Sequence, residues 1–138
     1  MREMLFRGKT YDGKWEQGDL RHGGYVHNDS ETYIMRSDYA LHNIPVDPKT
    51  VGQYTGLTDK NGKKIFEGDV VKHYNRIYMG EPDFYTVVLI EWDGEKYRYR
   101  QRKNTGECYA VANNCVFEII GNIHDNPELL NKEACDAK

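Results

Sequence analysis

The 138-residue chain is 38% hydrophobic and 30% charged, with 19 basic against 22 acidic residues and a formal charge of −3. That length suits one domain, or a small domain with an appendage, whose core needs no staple, and the charge balance excludes a surface built throughout for nucleic acid or an anionic membrane. The three cysteines, Cys108, Cys115 and Cys135, are odd in number and form no C-x-x-C pair, which argues against a disulfide framework and for a reducing cytoplasm.

In chain order, "MREMLFRGKT" carries three basic residues and no apolar run of the kind a signal peptide needs. "LFRGKTY", Asp12-Gly13 and "KWEQGDL" predict an N-terminal β-hairpin with strands near 4–11 and 14–20. Residues 22–50 have no sustained period; short strands fit at 25–26 and 33–36, and Pro45 and Pro48 are expected to break regular structure, so the segment reads as a long loop excursion. "QYTGLTDKNGKKIFEGDVV", residues 53–71, is dense in turn residues. Asn61-Gly62 predicts a type I′ hairpin turn, and Gly68-Asp69 turns the chain into "VVKHY". "DGKWEQGDL" and "NGKKIFEGDVV" echo one another, as two similar hairpins would.

"FYTVVLIEW", Asp93-Gly94 and "EKYRYRQRK" predict another hairpin, whose first strand is apolar enough to be buried on both faces. Its "VVLI" is the longest aliphatic run, far short of the ~20 residues of a spanning helix. Near the end, Asn126 as N-cap, Pro127 at the first helical position and Glu128 in the first turn predict a short helical turn over 127 to about 133.

Two blocks of residues carry a family resemblance. The first is Gln53-Tyr54-Thr55-Gly56-Leu57, Asp59-Lys60-Asn61-Gly62-Lys63 and Ile65-Phe66-Glu67-Gly68-Asp69-Val70. The second is "IIGNIHDNPELL", with Gly121, Asn122, Ile123, Asn126 and Pro127. With the opening "REMLFRGKTYDGKWEQGDL", they make the chain similar to the YopX family of phage and prophage proteins over almost its whole length, most loosely at 22–50 and 75–110. The resemblance implies a mainly β fold with an SH3-type barrel and a gene carried by a temperate phage or prophage. It implies no catalytic residue, cofactor or metal.

The residues themselves offer little chemistry. Gly56, Gly62 and Gly68 do not match a phosphate-binding loop, since neither the interval nor the residue after Lys63 fits. The histidines His22, His27, His42, His73 and His124 are scattered and form no ligand spacing. Cys108 and Cys115 flank "YAVANN" with no base beside them, and Glu67 with Asp69, or Glu81 with Asp83, are carboxylate pairs of a kind surface loops often carry. The one unusual run is Lys96, Arg98, Arg100, Arg102 and Lys103. Strand period places Arg98, Arg100 and Arg102 on one face and Tyr97, Tyr99 and Gln101 on the other. Such a stripe either tracks a nucleic-acid backbone or forms a charged outer strand paired to acids such as Glu91 or Asp93.

The expectation is therefore a mainly β chain. Residues 1–50 carry an N-terminal hairpin and loop excursion, and residues 51–138 an SH3-type barrel with a C-terminal helical turn, together one compact unit. The expected function is a non-enzymatic binding module for a host or phage protein, in the bacterial cytoplasm and away from membranes, with self-association through open barrel edges as a further possibility of the fold. A nucleic-acid accessory role using residues 96–103 is the alternative.

Overall fold

The computed structural model describes residues 4–22, 32–35, 43–74, 85–96, 98–103, 105–111 and 115–131. It divides into two compact units, Met1–Tyr54 and Thr55–Lys138. Both are built almost entirely of antiparallel strands.

In the first unit β1 (Phe6–Lys9), β2 (Trp15–His22), β3 (Thr32–Met35) and β4 (Asn43–Pro45) form a meander, and the first part of β5 (Asp47–Thr58) returns beside β1. β1 and β2 pair from Phe6 opposite Gly18 to Lys9 opposite Trp15. Ile34, Val46 and Tyr54 are buried, and Gly8 lies against Val46 so closely that a Cβ would come within 2.8 Å of its Cγ2. Segment 43–50, expected as loop, is largely strand. Pro45 is tolerated because β4 is the outermost strand, and Pro48 because the β1–β5 register slips between Arg7 and Lys9. There the Lys9 N–H donates to the Thr50 hydroxyl (2.8 Å) instead of to a ladder carbonyl.

The second unit repeats this strand order. β7 (Asp69–Tyr74), β8 (Tyr85–Asp93), β9 (Arg98–Arg102) and β10 (Cys108–Ala110) form a meander, and β11 (Val116–Asn122) returns beside β7, giving the order β10-β9-β8-β7-β11. β6 (Lys64–Phe66) pairs with the last part of β5. β8 is buried on both faces, as its sequence predicts. Val88 and Ile90 join Ile65, Val71 and Phe117 on one side. Leu89 joins Val70 and Leu130 on the other, with Ile120, Ile123 and Leu129 packed against them. Among the described residues these strands form open sheets and no closed barrel, so the expected barrel outline from residue 51 is corrected to a sheet with covered faces.

Hairpin turns share one construction. Gly13 N–H donates to Thr10 C=O, Gly62 N–H to Asp59 C=O and Gly106 N–H to Lys103 C=O, at 2.9–3.0 Å. One residue further on, Thr10, Asp59 and Lys103 N–H donate to the carbonyls of Lys14, Lys63 and Glu107. This is a three-residue loop, a type I turn ending in a left-handed glycine that makes a bulge, and not the type I′ turn that Asn61-Gly62 suggested. The echo between residues 12–20 and 61–71 reaches only this turn, since Gly18 lies inside β2 whereas Gly68 has φ 94° in a turn. Gly62 has φ 85° with open space around its Cα, so backbone conformation alone selects glycine there. Gly62→Val is expected to lose more than ~1 kcal/mol in urea unfolding, from left-handed strain; an unchanged midpoint would contradict the turn assignment. The hairpin expected at Asp93-Gly94 is present, with β8 paired to β9, but Gly94, by contrast, lacks a positive φ. Instead the Asp93 carboxylate accepts the Glu95 and Lys96 N–H groups (3.1 and 3.4 Å).

The C-terminal turn is a 3-10 helix, Pro127–Asn131, and its cap is also a correction. The Asn126 side chain does not cap it: Asn126 Oδ1 accepts the Asn122 N–H (3.3 Å), while the Asn126 backbone carbonyl accepts the Leu129 N–H (3.1 Å). Gly121 makes room for this, since a Cβ there would stand 2.6 Å from Asn126 Oδ1 and 2.8 Å from Leu129 Cδ1. Residues 132–133 of the expected turn lie outside the described residues.

Candidate functional site

From Thr55 onward the first block meets the second in the second unit, and their role there is architectural. Asp59 is buried and accepts three backbone donors: Asn61 and Lys63 N–H on Oδ1 (2.9 Å each) and, across the chain, Ile119 N–H on Oδ2 (3.1 Å). Burial works against its charge, but the N–H groups of Ile119, Lys63 and Asn61 outweigh burial and hold the carboxyl below its usual range. Lys60 N–H donates to Phe117 C=O and Ile123 N–H to Gly68 C=O. Thr55 Oγ1 donates to Ile65 C=O, and Asp69, 1% exposed, accepts the Phe66 N–H on Oδ2 (2.8 Å). Asn122 Oδ1 takes the His124 and Asp125 N–H groups. Gln53 stands opposite Phe6 in the first unit, Tyr54, Ile65 and Phe66 are buried, and Gly56 supplies a left-handed residue at φ 91°.

The other candidates for chemistry stay apart. Among the described residues no cluster of three or more His, Cys, Asp or Glu could hold a metal. His73 packs its ring on Phe117, 5.1 Å between centroids; burial depresses its pKa, opposed by a hydrogen bond with Gln101 and reinforced by Lys103. Cys115 touches the same Gln101 (Nε2 to Sγ, 3.9 Å), and Cys108 is exposed and free. His27, His42, Glu81, Asp83 and Cys135 lie outside the described residues, as does the side chain of His22; His124 is exposed.

The basic strand is ordered by its neighbour. Arg98, Arg100 and Arg102 alternate with Tyr99 and Gln101, which are buried, so the three arginines share the face of β9 that the strand period predicts; Tyr97 lies outside the described residues. Register places Glu91 opposite Arg100 and Asp93 opposite Arg98. Glu91 Oε2 accepts from Arg100 Nε (2.7 Å) and lies 2.6 Å from its Nη2; Glu91 Oε1 accepts from Arg102 Nε (3.3 Å), and Asp93 stands 3.7 Å from Arg100. The hydrogen bond to Glu91 raises the Arg100 pKa further. Arg98 is exposed with no ion pair among the described residues, and Lys103 covers the Tyr109 ring at 5.0 Å. The stripe is thus an acid–base ladder with two open places, Arg98 and the terminal fork of Arg102.

Next to that ladder the sequence reading missed an edge. β10 is the outermost strand of its sheet, all three of its residues are exposed, and Tyr109 stands 47% exposed. The signal that locates it is Gly106 at the same spacing within "KNTGE" as Gly13 in "TYDGK", which marks a hairpin return. Trp92, 41% exposed on the other face, meets the buried Tyr99 edge-on with centroids 4.9 Å apart.

Two antiparallel sheets, open among the described residues and one of them with an exposed edge strand beside an arginine ladder, define a mainly β protein. The chain belongs to the YopX protein family, whose model matches residues 5–131. It is similar in fold to the crystal structure of protein EF1440 from Enterococcus faecalis, at 22% identity and a TM-score of 0.52, with 94% of this chain and 99% of that one covered. No curated protein matches it. Among the described residues no helix is long and apolar enough to cross a membrane.

Proposed function

We propose that this protein is a non-enzymatic binding module, encoded by a phage or prophage and working in the host cytoplasm, that engages a host or phage protein through the outer edge of β10. The second unit is read as an open SH3-type fold, a reading supported by its four-strand meander with the fifth strand beside the first. The edge itself carries the functional reading. An exposed strand end with free backbone groups adds an extended segment of another protein as a further strand. The equivalent edge in the first unit, β4, ends in Pro45, whereas Cys108-Tyr109-Ala110 holds neither proline nor charge.

Ala110→Pro tests this. It removes an outward-facing N–H and sets a ring against the edge. A protein captured from induced host cells by the parent chain, and lost with the variant at unchanged melting, supports the reading; capture unaffected by the variant refutes it.

Nucleic-acid binding through Lys96, Arg98, Arg100, Arg102 and Lys103 is the second reading, and the exposure of Lys96 and Arg98 favours it. Glu91 and Asp93 stand within the row, so an approaching phosphate meets carboxylates as well. Titration with single- and double-stranded oligonucleotides at two salt concentrations is expected to show no salt-dependent binding. Binding that weakens steeply with salt, with a log–log slope reduced by ~0.7–0.9 per lost contact when the three arginines become glutamine, would establish the nucleic-acid role instead.

A further inference from the structure

We propose that the segment captured by β10 is acidic at alternate positions, and that Arg98 and Arg102 read those acids. The inference rests on the strand-addition reading above and names its partner chemistry.

The register decides which groups point outward. Lys103 N–H donates to Glu107 C=O (2.9 Å), and Val111 N–H to Tyr99 C=O (3.3 Å). Bonded and non-bonded pairs alternate along an antiparallel ladder, so Gln101 and Tyr109 exchange the bonds between these two. The pairs Cys108–Arg102 and Ala110–Arg100 are then the non-bonded ones, and the backbone groups of Cys108 and Ala110 face away from β9. One of these is partly used, since Ala110 C=O accepts from Gln101 Nε2 (3.2 Å). Among the described residues, the Cys108 N–H and C=O and the Ala110 N–H are left for an incoming strand.

The same parity fixes the side chains. Residues of an added strand opposite Cys108 and Ala110 project on the face that carries Arg98, Arg100 and Arg102. Cys108 and Ala110 are small, so they leave the space between the added strand and β9, about 10 Å across two strand spacings, open to long side chains. Arg100 is held by Glu91 and Asp93. Among the described residues Arg98 has no ion pair, and Arg102 meets Glu91 through Nε while its terminal nitrogens make no hydrogen bond. These two guanidinium groups flank Arg100, four residues apart on β9, and match the first and third of three carboxylates set at alternate positions on the incoming strand. Charge-assisted, forked pairing of this kind distinguishes a carboxylate from an amide of the same shape.

The test uses the full chain, isotopically labelled, with a capped peptide of alternating valine and glutamate and its valine–glutamine counterpart. The expected result is amide shifts and exchange protection at Cys108 and Ala110, with the glutamate peptide binding about tenfold tighter at low salt, a difference of about 1.4 kcal/mol. Arg98→Gln with Arg102→Gln should erase that preference and leave the weaker, charge-independent binding. Ala110→Pro should abolish binding of both peptides; a melting curve for each variant shows that it is folded. Equal binding of the two peptides overturns the acidic preference and leaves strand addition standing. No response at Cys108 and Ala110 to either peptide overturns strand addition itself. Protection there that rises with protein concentration alone overturns the proposal in favour of a second copy of this chain.

Discussion

Asp59→Ala is expected to lower stability by about 3 kcal/mol or more, read from the urea midpoint. The substitution strips the acceptor from three backbone donors at once, the N–H groups of Asn61, Lys63 and Ile119. A buried donor left without a partner costs about 1–3 kcal/mol, and bonds to a charged acceptor lie at the strong end. Asp59→Asn is expected to fall between, because one amide oxygen keeps part of the set while its NH2 must face a donor. The loss also depends on pH. The folded carboxyl titrates below its unfolded value of about 3.9. Its contribution is therefore complete above that value and disappears as pH falls through the lower, folded one. Asp59→Asn should flatten that acid limb of the stability curve. A parent and variant with parallel acid limbs would show that Asp59 is not the group responsible.

Ile90→Ala is expected to cost about 2–5 kcal/mol, the range for truncating a large aliphatic side chain in a packed core. Ile90 is 1% exposed, sits in the middle of the apolar face of β8, and touches a cluster of Ile65, Val71, Val88 and Phe117. Trp92→Ala, two residues along the same strand and on the same face, serves as its control. Trp92 is 41% exposed, so its removal should cost much less despite the larger side chain. Similar losses at both positions would mean that the uncovered end of this face is covered in solution.

Much of this architecture can be read from local sequence. "VVLI" announces a strand buried on both sides, the alternation of "RYRQR" places its arginines together, and glycines mark the hairpins. Glu91 and Asp93 as partners of that row follow from a short hairpin, where sequence neighbours are also spatial neighbours. The failures have physical causes. The turn at Gly62 depends on whether Asp59 or Lys60 closes the ladder, a register that the pair Asn61-Gly62 does not encode. Pro48 reads as a breaker until the bulge opposite it is known. Asn126 looks like a cap because its partner Asn122 lies upstream rather than within the turn. The return of β11 to β7, and with it the bond from Ile119 to Asp59, joins residues far apart in sequence, and no local pattern reports such a pairing. The β10 edge was obscured for a simpler reason: three residues are too few to show a period.

The strand order shared by the two units governs the sequence of events in folding. Each meander can zip from contacts between neighbouring segments, with tight turns at Gly13 and Gly106 closing loops of three residues. The returning strand is different, since β5 and β11 must each find a partner laid down before the whole meander intervened. Loop-closure entropy rises only slowly with length, but it is lost before the distant pairing yields anything. Hairpin contacts such as β8–β9 are therefore expected early in the transition state, and the docking of β11 onto β7 late. Substitutions at Ile119 or Asp59 would then chiefly accelerate unfolding, while those within the β8–β9 hairpin would slow folding.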